Sequence, residues 1–179
     1  MPEKVESQDS LYEQAAETYG SALDRLARAY ELDPEIRRDL LQEIHFHLWR
    51  SFLKFDERCS LRTWIYRVAH NVAAAHVIRQ RRTREKLVNL EDVEEIESFA
   101  DSHSSELAIS QGQALQRLAT LIQRLKPLDR QIIVSYLEGM PASATSEITG
   151  LSPANVAMKV HRITKILRRW FGEGGNHAQ

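Results

Sequence analysis

SFLKFDERCSLRTWIYRVAHNVAAAHVIRQRRTR, residues 51 to 84, carries one sustained helical repeat and gathers aromatic and arginine side chains along it. Leu61, Trp64, Ile65, Val68 and Val72 recur at three- and four-residue steps, which stack side chains on one side of an α-helix. Ser60 is placed to cap the start of this helix, and the basic run Arg79 to Arg84 closes it. From Arg50 onward, Arg50, Lys54, Arg58, Arg62, Arg67, Arg79, Arg81, Arg82 and Arg84 are opposed only by Asp56 and Glu57, in a chain of formal net charge -1. The basicity is local, and local basicity implies a polyanionic partner.

Two more amphipathic helices precede this one. Asp33 and Pro34 supply an N-cap side chain and a first-turn proline for a helix with the inner stripe Ile36, Leu40, Ile44, Leu48 and Phe52. Before it, Tyr12, Ala15, Ala16, Tyr19, Leu23, Leu26 and Tyr30 mark a helix from about Leu11 to Tyr30. Three such helices can share one small core.

After the basic run the character changes. EKLVNLEDVEEIESFADSHSS is acidic and has no sustained apolar period, so residues 85–105 read as a solvated connector, with folding back onto a basic surface as the alternative. Leu107, Ala114, Leu115, Leu118, Leu121, Ile122 and Leu125 then define one face of a helix that stops at Lys126 and Pro127. LDRQIIVSYLEG ends at Gly139, and a short helix over Ala142 to Thr149 ends at Gly150, both as left-handed glycine caps. Ser152 and Pro153 at once open the last helix, ANVAMKVHRITKILRRWF. Helix, tight glycine turn, helix is the helix-turn-helix pattern. The fold expected is all-α: two small helical domains, 1–84 and 106–175, joined by a flexible acidic linker.

Composition excludes several other classes. With 42% hydrophobic residues, 7 glycines and 5 prolines, the 179-residue chain has the make-up of a globular protein with no strand pattern. Neither the amino terminus MPEKVESQDS nor any later apolar run can span a bilayer, so a cytoplasmic protein without membrane insertion is expected. The single Cys59 excludes an internal disulfide and a cysteine-based zinc site; it reads as an inert thiol. His45 and His47 are two apart and diverge on a helix, and His70 and His76 are six apart, so neither pair has metal-ligand spacing. The histidines are expected at surfaces. No Ser-His-Asp set or glycine-rich phosphate loop is present, and no enzyme, metal or cofactor is expected.

Three surfaces remain. On the last helix Val156, Val160, Ile163 and Leu167 must face a core, which turns Asn155, Lys159, Arg162, Lys165 and Arg169 outward, with no acid between Glu147 and Glu173. Such a helix suits the DNA major groove, its early residues at base edges and its later ones at phosphates. The Leu61 helix mixes Trp64 and Tyr66 with Arg62, Arg67, Thr63, His70 and Asn71, a combination suited to unpaired bases. Trp64 shares the apolar stripe and reads as core, whereas Tyr66, Arg67 and Asn71 lie off it. On the helix after Pro34, Asp39, Gln42, Glu43, Phe46 and Arg50 share a face. Phe46 there either meets a partner or folds back onto a neighbouring helix or loop.

The run DLLQEIHFHLWRSFLKFDERCSLRTWIYRVAHNVAAAHVIRQRR resembles region two of the extracytoplasmic-function (group IV) sigma factors of the bacterial sigma-70 family. LKPLDRQIIVSYLEGMPASATSEITGLSPANVAMKVHRITKILRRW resembles region four of the same group, in the same order. The resemblance implies recruitment of core RNA polymerase to promoters and initiation of transcription. It implies docking of Asp39, Gln42, Glu43 and Phe46 on the beta prime clamp helices, with the beta flap as a further polymerase contact. It also implies reading of an opened minus-ten element by the loop Lys54 to Ser60 and the helix beyond, through Lys54, Arg62, Thr63, Tyr66, Arg67 and Asn71. The last helix would read the minus-thirty-five element in duplex DNA through Asn155, Ala157, Met158, Lys159, His161, Arg162 and Lys165. The linker would thread towards the polymerase active site and RNA exit channel, and an anti-sigma factor is expected as a partner.

Two departures stand out. Thr145 and Ser146 replace an isoleucine and an alanine common in relatives, which should weaken packing of the first helix of the helix-turn-helix. Ala157 and Met158 replace a basic residue and a serine common in the reading helix; they can meet a thymine methyl but cannot bond guanine. The rival reading is a stand-alone helix-turn-helix regulator that binds duplex DNA without polymerase; it would have no use for the docking face or the unpaired-base surface.

Overall fold

Capping chemistry sets where the helices begin. In the computed structural model, which describes residues 7–80 and 111–173, α1 spans Gln8–Tyr30, α2 Pro34–Ser51 and α3 Leu61–Gln80. Ser7 caps α1 through the Ser10 amide at 3.1 Å, and Asp33 Oδ1 accepts from the amides of Glu35 and Ile36 at the head of α2. Ser60 Oγ accepts from Thr63 N at 3.1 Å before α3. One short turn, Phe52–Lys54, carries the end of α2 into the loop that precedes α3. In the second half α4 covers Gln111–Arg124, α5 Pro127–Leu137, α6 Ala142–Thr149 and α7 Pro153–Glu173. Every regular element of the described residues is helical, as the periodicity requires.

The chain separates into two compact units. Residues 81–110, with the acidic stretch, Leu107 and the arginines after Gln80, lie outside those described, as do the finer domain boundaries.

In the first unit each helix packs on the other two. Leu23, Leu26 and Tyr30 of α1, Leu40, Ile44 and Leu48 of α2, and Ile65, Ala69 and Ala73 of α3 are all at most 1% exposed. Each large aliphatic among them contributes about 1.5–3 kcal/mol by leaving water. The alanines let α3 approach its neighbours closely. Because α3 is covered by two helices, its buried arc is wider than the stripe read from the sequence. Tyr66 falls inside that arc at 1% exposure, and Thr63 is buried with its hydroxyl 2.9 Å from Ser60 Oγ.

Two histidines, His70 and His76, depart from the surface positions expected of them, while His47 and His161 are exposed. His70 is fully buried with Nδ1 3.0 Å from the Tyr30 hydroxyl, and His76 is buried with Nε2 3.5 Å from Glu31 Oε2. The other Glu31 oxygen accepts from the Asp33 amide at 3.0 Å, so this buried carboxylate ties the α1–α2 turn to α3. Burial is possible because α1 brings a polar partner to each ring.

The second unit closes around Ile122, Leu125, Ile132, Ile133, Val156 and Ile163. Arg130 is buried; its guanidinium donates to the carbonyls of Gln123 and Leu125, meeting groups that the end of α4 leaves open. Leu115, expected on the inner face of α4, is 62% exposed. The buried residues of α4 lie in its C-terminal half, from Ala119 to Ile122, and Leu115 sits a turn earlier.

Gly139 and Gly150 take φ of 72° and 74°, a region closed to most side chains, and stop α5 and α6 as their positions foretell. Thr145 and Ser146 stand in α6 where the resemblance leads to isoleucine and alanine. Thr145 is buried, its carbonyl accepting from the Thr149 hydroxyl at 2.8 Å, and Ser146 Oγ donates to the Leu151 carbonyl across the turn. The hydroxyls of Ser146 and Thr149, the latter accepting from the Leu151 amide at 3.5 Å, fasten the turn that sets the start of α7.

Candidate nucleic-acid interface

The basic side chains of α3 separate by depth. Arg67 and Asn71 stand one turn apart on the side away from α1 and α2, in line with Ile78, which is 60% exposed. Asn71 is exposed and Arg67 half-buried. Arg62 lies half-buried at the head of the helix, its guanidinium 5.8 Å from the centre of the Tyr66 ring. Tyr66 in turn leans on His70 at 6.1 Å. Burial pushes His70 down to about 3, so the ring stays neutral at any ordinary pH. Tyr66 therefore supports Arg62 from beneath and is closed to a base, and Thr63 is likewise turned inward. Of the expected six, Lys54 and Asn71 are exposed, whereas Arg62 and Arg67 are half-buried, Arg67 with its Nε inside the fold.

The loop before α3 is braced by aromatic contacts. Phe55 lies 5.4 Å from Trp64 and 6.5 Å from Phe52, and Trp64 Nε1 donates to Ser51 Oγ at 2.9 Å. Trp64 is thus a packing residue, as its place on the stripe indicates. Beyond Phe55, Asp56 accepts from the backbone and guanidinium of Arg58, while Glu57 takes φ of 57°, a strained choice for a side-chain-bearing residue. In this loop Lys54, Glu57 and Arg58 are exposed and Cys59 is half-buried.

On α2 the line opposite Leu40, Ile44 and Leu48 carries Asp39, Gln42 and Phe46 and runs on through Trp49 to Leu53. Phe46 is 53% and Leu53 73% exposed. Phe46 does not fold back onto another helix; Arg50 lies over its ring at 5.6 Å and His47 meets it edge-on. Glu43 is turned to the flank, where both carboxylate oxygens accept from Arg79 of α3 at 2.9 and 2.7 Å. Trp49 Nε1 donates to Asp9 and Gln8 to the Trp49 carbonyl, fixing the head of α1 to the end of α2. The exposed apolar pair Trp49 and Leu53 was missed in the sequence, although both continue the three-and-four spacing of Phe46.

In the second unit Val156, Ile163 and Leu167 of α7 are buried, with Val160 half-buried between them. Asn155, Ala157, Met158, His161, Arg162, Lys165, Arg168 and Arg169 are exposed. Lys159 departs from its expected outward place. Its ammonium lies 2.7 Å from Asp129 Oδ1, a carboxylate on α5 that is almost wholly buried. Lys159 stands on the flank of α7 nearest the core, and a buried carboxylate needs a cation more than solvent does.

Among the described residues no cluster of His, Cys, Asp and Glu could hold a metal ion, and no helix is long and apolar enough to cross a membrane.

Known proteins share this arrangement. Two family models match the chain, sigma-70 region 2 over residues 15–83 and sigma-70 region 4 over residues 115–167, together more than half of it. The ECF RNA polymerase sigma factor SigX of Bacillus subtilis (strain 168) is 26% identical over 142 residues, which are 76% of this chain and 71% of SigX. In fold, the chain resembles a solved structure of CnrH in complex with the cytosolic domain of CnrY, with a TM-score of 0.64 at 20% identity, over 93% of this chain and 90% of that one.

Proposed function

Because the chain belongs to the sigma-70 family, within its extracytoplasmic-function group, and is an RNA polymerase sigma factor, we propose a division of labour among its three exposed surfaces. The outer line of α2, Asp39, Gln42 and Phe46, docks on the clamp helices of the beta prime subunit, and Trp49 and Leu53 extend that contact. An exposed phenylalanine held among charges by Arg50 is the observation that carries this reading, since such a ring is wasteful without a partner. Glu43 takes part indirectly, as the anchor of Arg79.

Lys54, Arg62, Arg67 and Asn71 hold the opened minus-ten strand. The arginines supply phosphate contacts and flat faces for unpaired bases, and the Asn71 amide bonds a base edge that opens only when the duplex does. Helix α7 enters the major groove of the minus-thirty-five element, with His161, Arg162 and Lys165 towards its phosphates. Region four also contacts the beta flap. These are binding tasks, and the transfer chemistry belongs to the polymerase, so the chain works in the cytoplasm as an initiation factor and not as an enzyme. An anti-sigma factor regulates it, a reading supported by the solved likeness of CnrH bound to part of another protein.

The test is transcription in vitro with purified core polymerase across a genomic promoter library. Start-site-specific transcripts that need the chain are expected. Tight footprinting by the chain alone, with no specific transcript on adding core enzyme, would overturn the proposal.

A further inference from the structure

Over its first two turns, from Pro153 to Val160, α7 contains one charged residue, Lys159. Its ammonium is 2.7 Å from a carboxylate only 3% exposed, on a helix that packs against α7 inside the unit. Moving that ammonium to DNA would leave Asp129 buried and unpaired, a cost that one exposed phosphate contact does not offset. What the early turns offer a groove is therefore uncharged. Ala154, Asn155, Ala157 and Met158 are exposed, and Met158, at 48% exposure, stands opposite the buried line Val156–Ile163, at the centre of the outer face. The cations begin a turn later, at Arg162, Lys165, Arg168 and Arg169.

Major-groove chemistry turns this into a preference. Guanine is read by a bidentate cation, adenine by a bidentate amide, and the thymine methyl by an apolar contact. We propose that α7 is a reader of A·T base pairs: Met158 packs on a thymine methyl, Asn155 pairs with adenine N6 and N7, and Lys159 positions α7 against Asp129 without touching DNA. This specificity rests on the reading of α7 as the minus-thirty-five helix.

The experiment uses the chain with core polymerase on templates randomised across the minus-thirty-five element and sequences those that yield the correct start. Enrichment of A·T pairs at the positions facing the first two turns is expected. Met158→Arg, at an exposed site that does not disturb the core, should bring guanine into one of those positions and lower the thymine preference there by about tenfold. Guanine enrichment by the unaltered chain, or an unchanged preference in Met158→Arg, overturns the inference while leaving the sigma function intact. Absence of a specific transcript from every template overturns the function itself. For Lys159, the paired change Asp129→Asn with Lys159→Gln removes both charges and keeps a hydrogen-bonding pair. The base preference and the salt dependence of promoter binding should both stay as they are. A salt slope shallower by about one phosphate would place Lys159 on the DNA.

Discussion

The Tyr30 hydroxyl and His70 Nδ1 lie 3.0 Å apart in the core of the first unit, joining the end of α1 to the middle of α3. Burial holds the imidazole down to about 3, against an ordinary value of 6.5. In the unfolded chain His70 takes a proton as pH falls through 6.5, whereas in the fold it stays neutral until about 3. Between those limits the unfolded state binds the extra proton, so stability is lost as pH falls and is fully regained above 6.5. One such group gives a slope approaching 1.4 kcal/mol per pH unit. His45, also depressed by burial, acts in the same direction. His70→Gln keeps an acceptor for Tyr30 and removes the titration. Urea midpoints from pH 7 to 4 should fall less steeply in this variant; equal slopes would show that His70 is accessible to protons in the fold.

Phe46 presents 53% of its surface and contacts Arg50 and His47 of its own helix. Little core packing depends on it, so Phe46→Ala should change stability by no more than about 0.5 kcal/mol. If it anchors the polymerase contact, the same change should weaken binding to core enzyme by about tenfold or more. Titration of labelled protein with core polymerase, beside a thermal melt, separates the two effects. Undiminished affinity would remove Phe46 from the docking surface.

Gly150 adopts φ of 74° at the turn between α6 and α7, and a Cβ placed there would meet nothing within 4 Å. Substitution is therefore opposed by backbone conformation alone. Gly150→Ala should cost about 1–2 kcal/mol, and Gly150→Asn less, because asparagine tolerates the left-handed region better. Denaturation of the two variants checks the ranking, and equal costs would point to a steric cause.

Much of this architecture is written locally. Asp33 with Pro34, Ser60, and the glycines at 139 and 150 act on amides and dihedrals within a few residues, so their effects are legible from sequence spacing. What escaped depends on distant partners. His70 and His76 look like surface residues until Tyr30 and Glu31, 40 and 45 positions away, bring them a hydrogen bond and a carboxylate. Lys159 looks like a DNA contact until Asp129, 30 positions earlier, is found buried beneath it. Tyr66 was misplaced for a related reason. A stripe of one residue per turn describes a helix packed on one side, and α3 is packed by two helices. Of the site, the exposed line of α2 and the outer face of α7 were legible, and the inward turns of Glu43, Thr63, Tyr66 and Lys159 were not.

Tyr66 and Asn71 occupy the same helix and make opposite predictions. Tyr66 is 1% exposed, beneath the Arg62 guanidinium and against His70, whereas Asn71 is exposed on the outer side. Removing the ring in Tyr66→Ala leaves a cavity and should cost about 3–5 kcal/mol, a loss of fold that would mimic a loss of DNA binding. Tyr66→Phe avoids the confusion, because it keeps the ring under Arg62. It should bind fork-junction templates, with the minus-ten strand already open, as well as the unaltered chain does. Asn71→Ala should weaken that binding while leaving core-polymerase affinity and thermal stability unchanged, since its side chain is exposed. Measured together by holoenzyme binding to fork-junction DNA, a deficit in Tyr66→Phe with none in Asn71→Ala would reverse the assignment and return the tyrosine to the DNA.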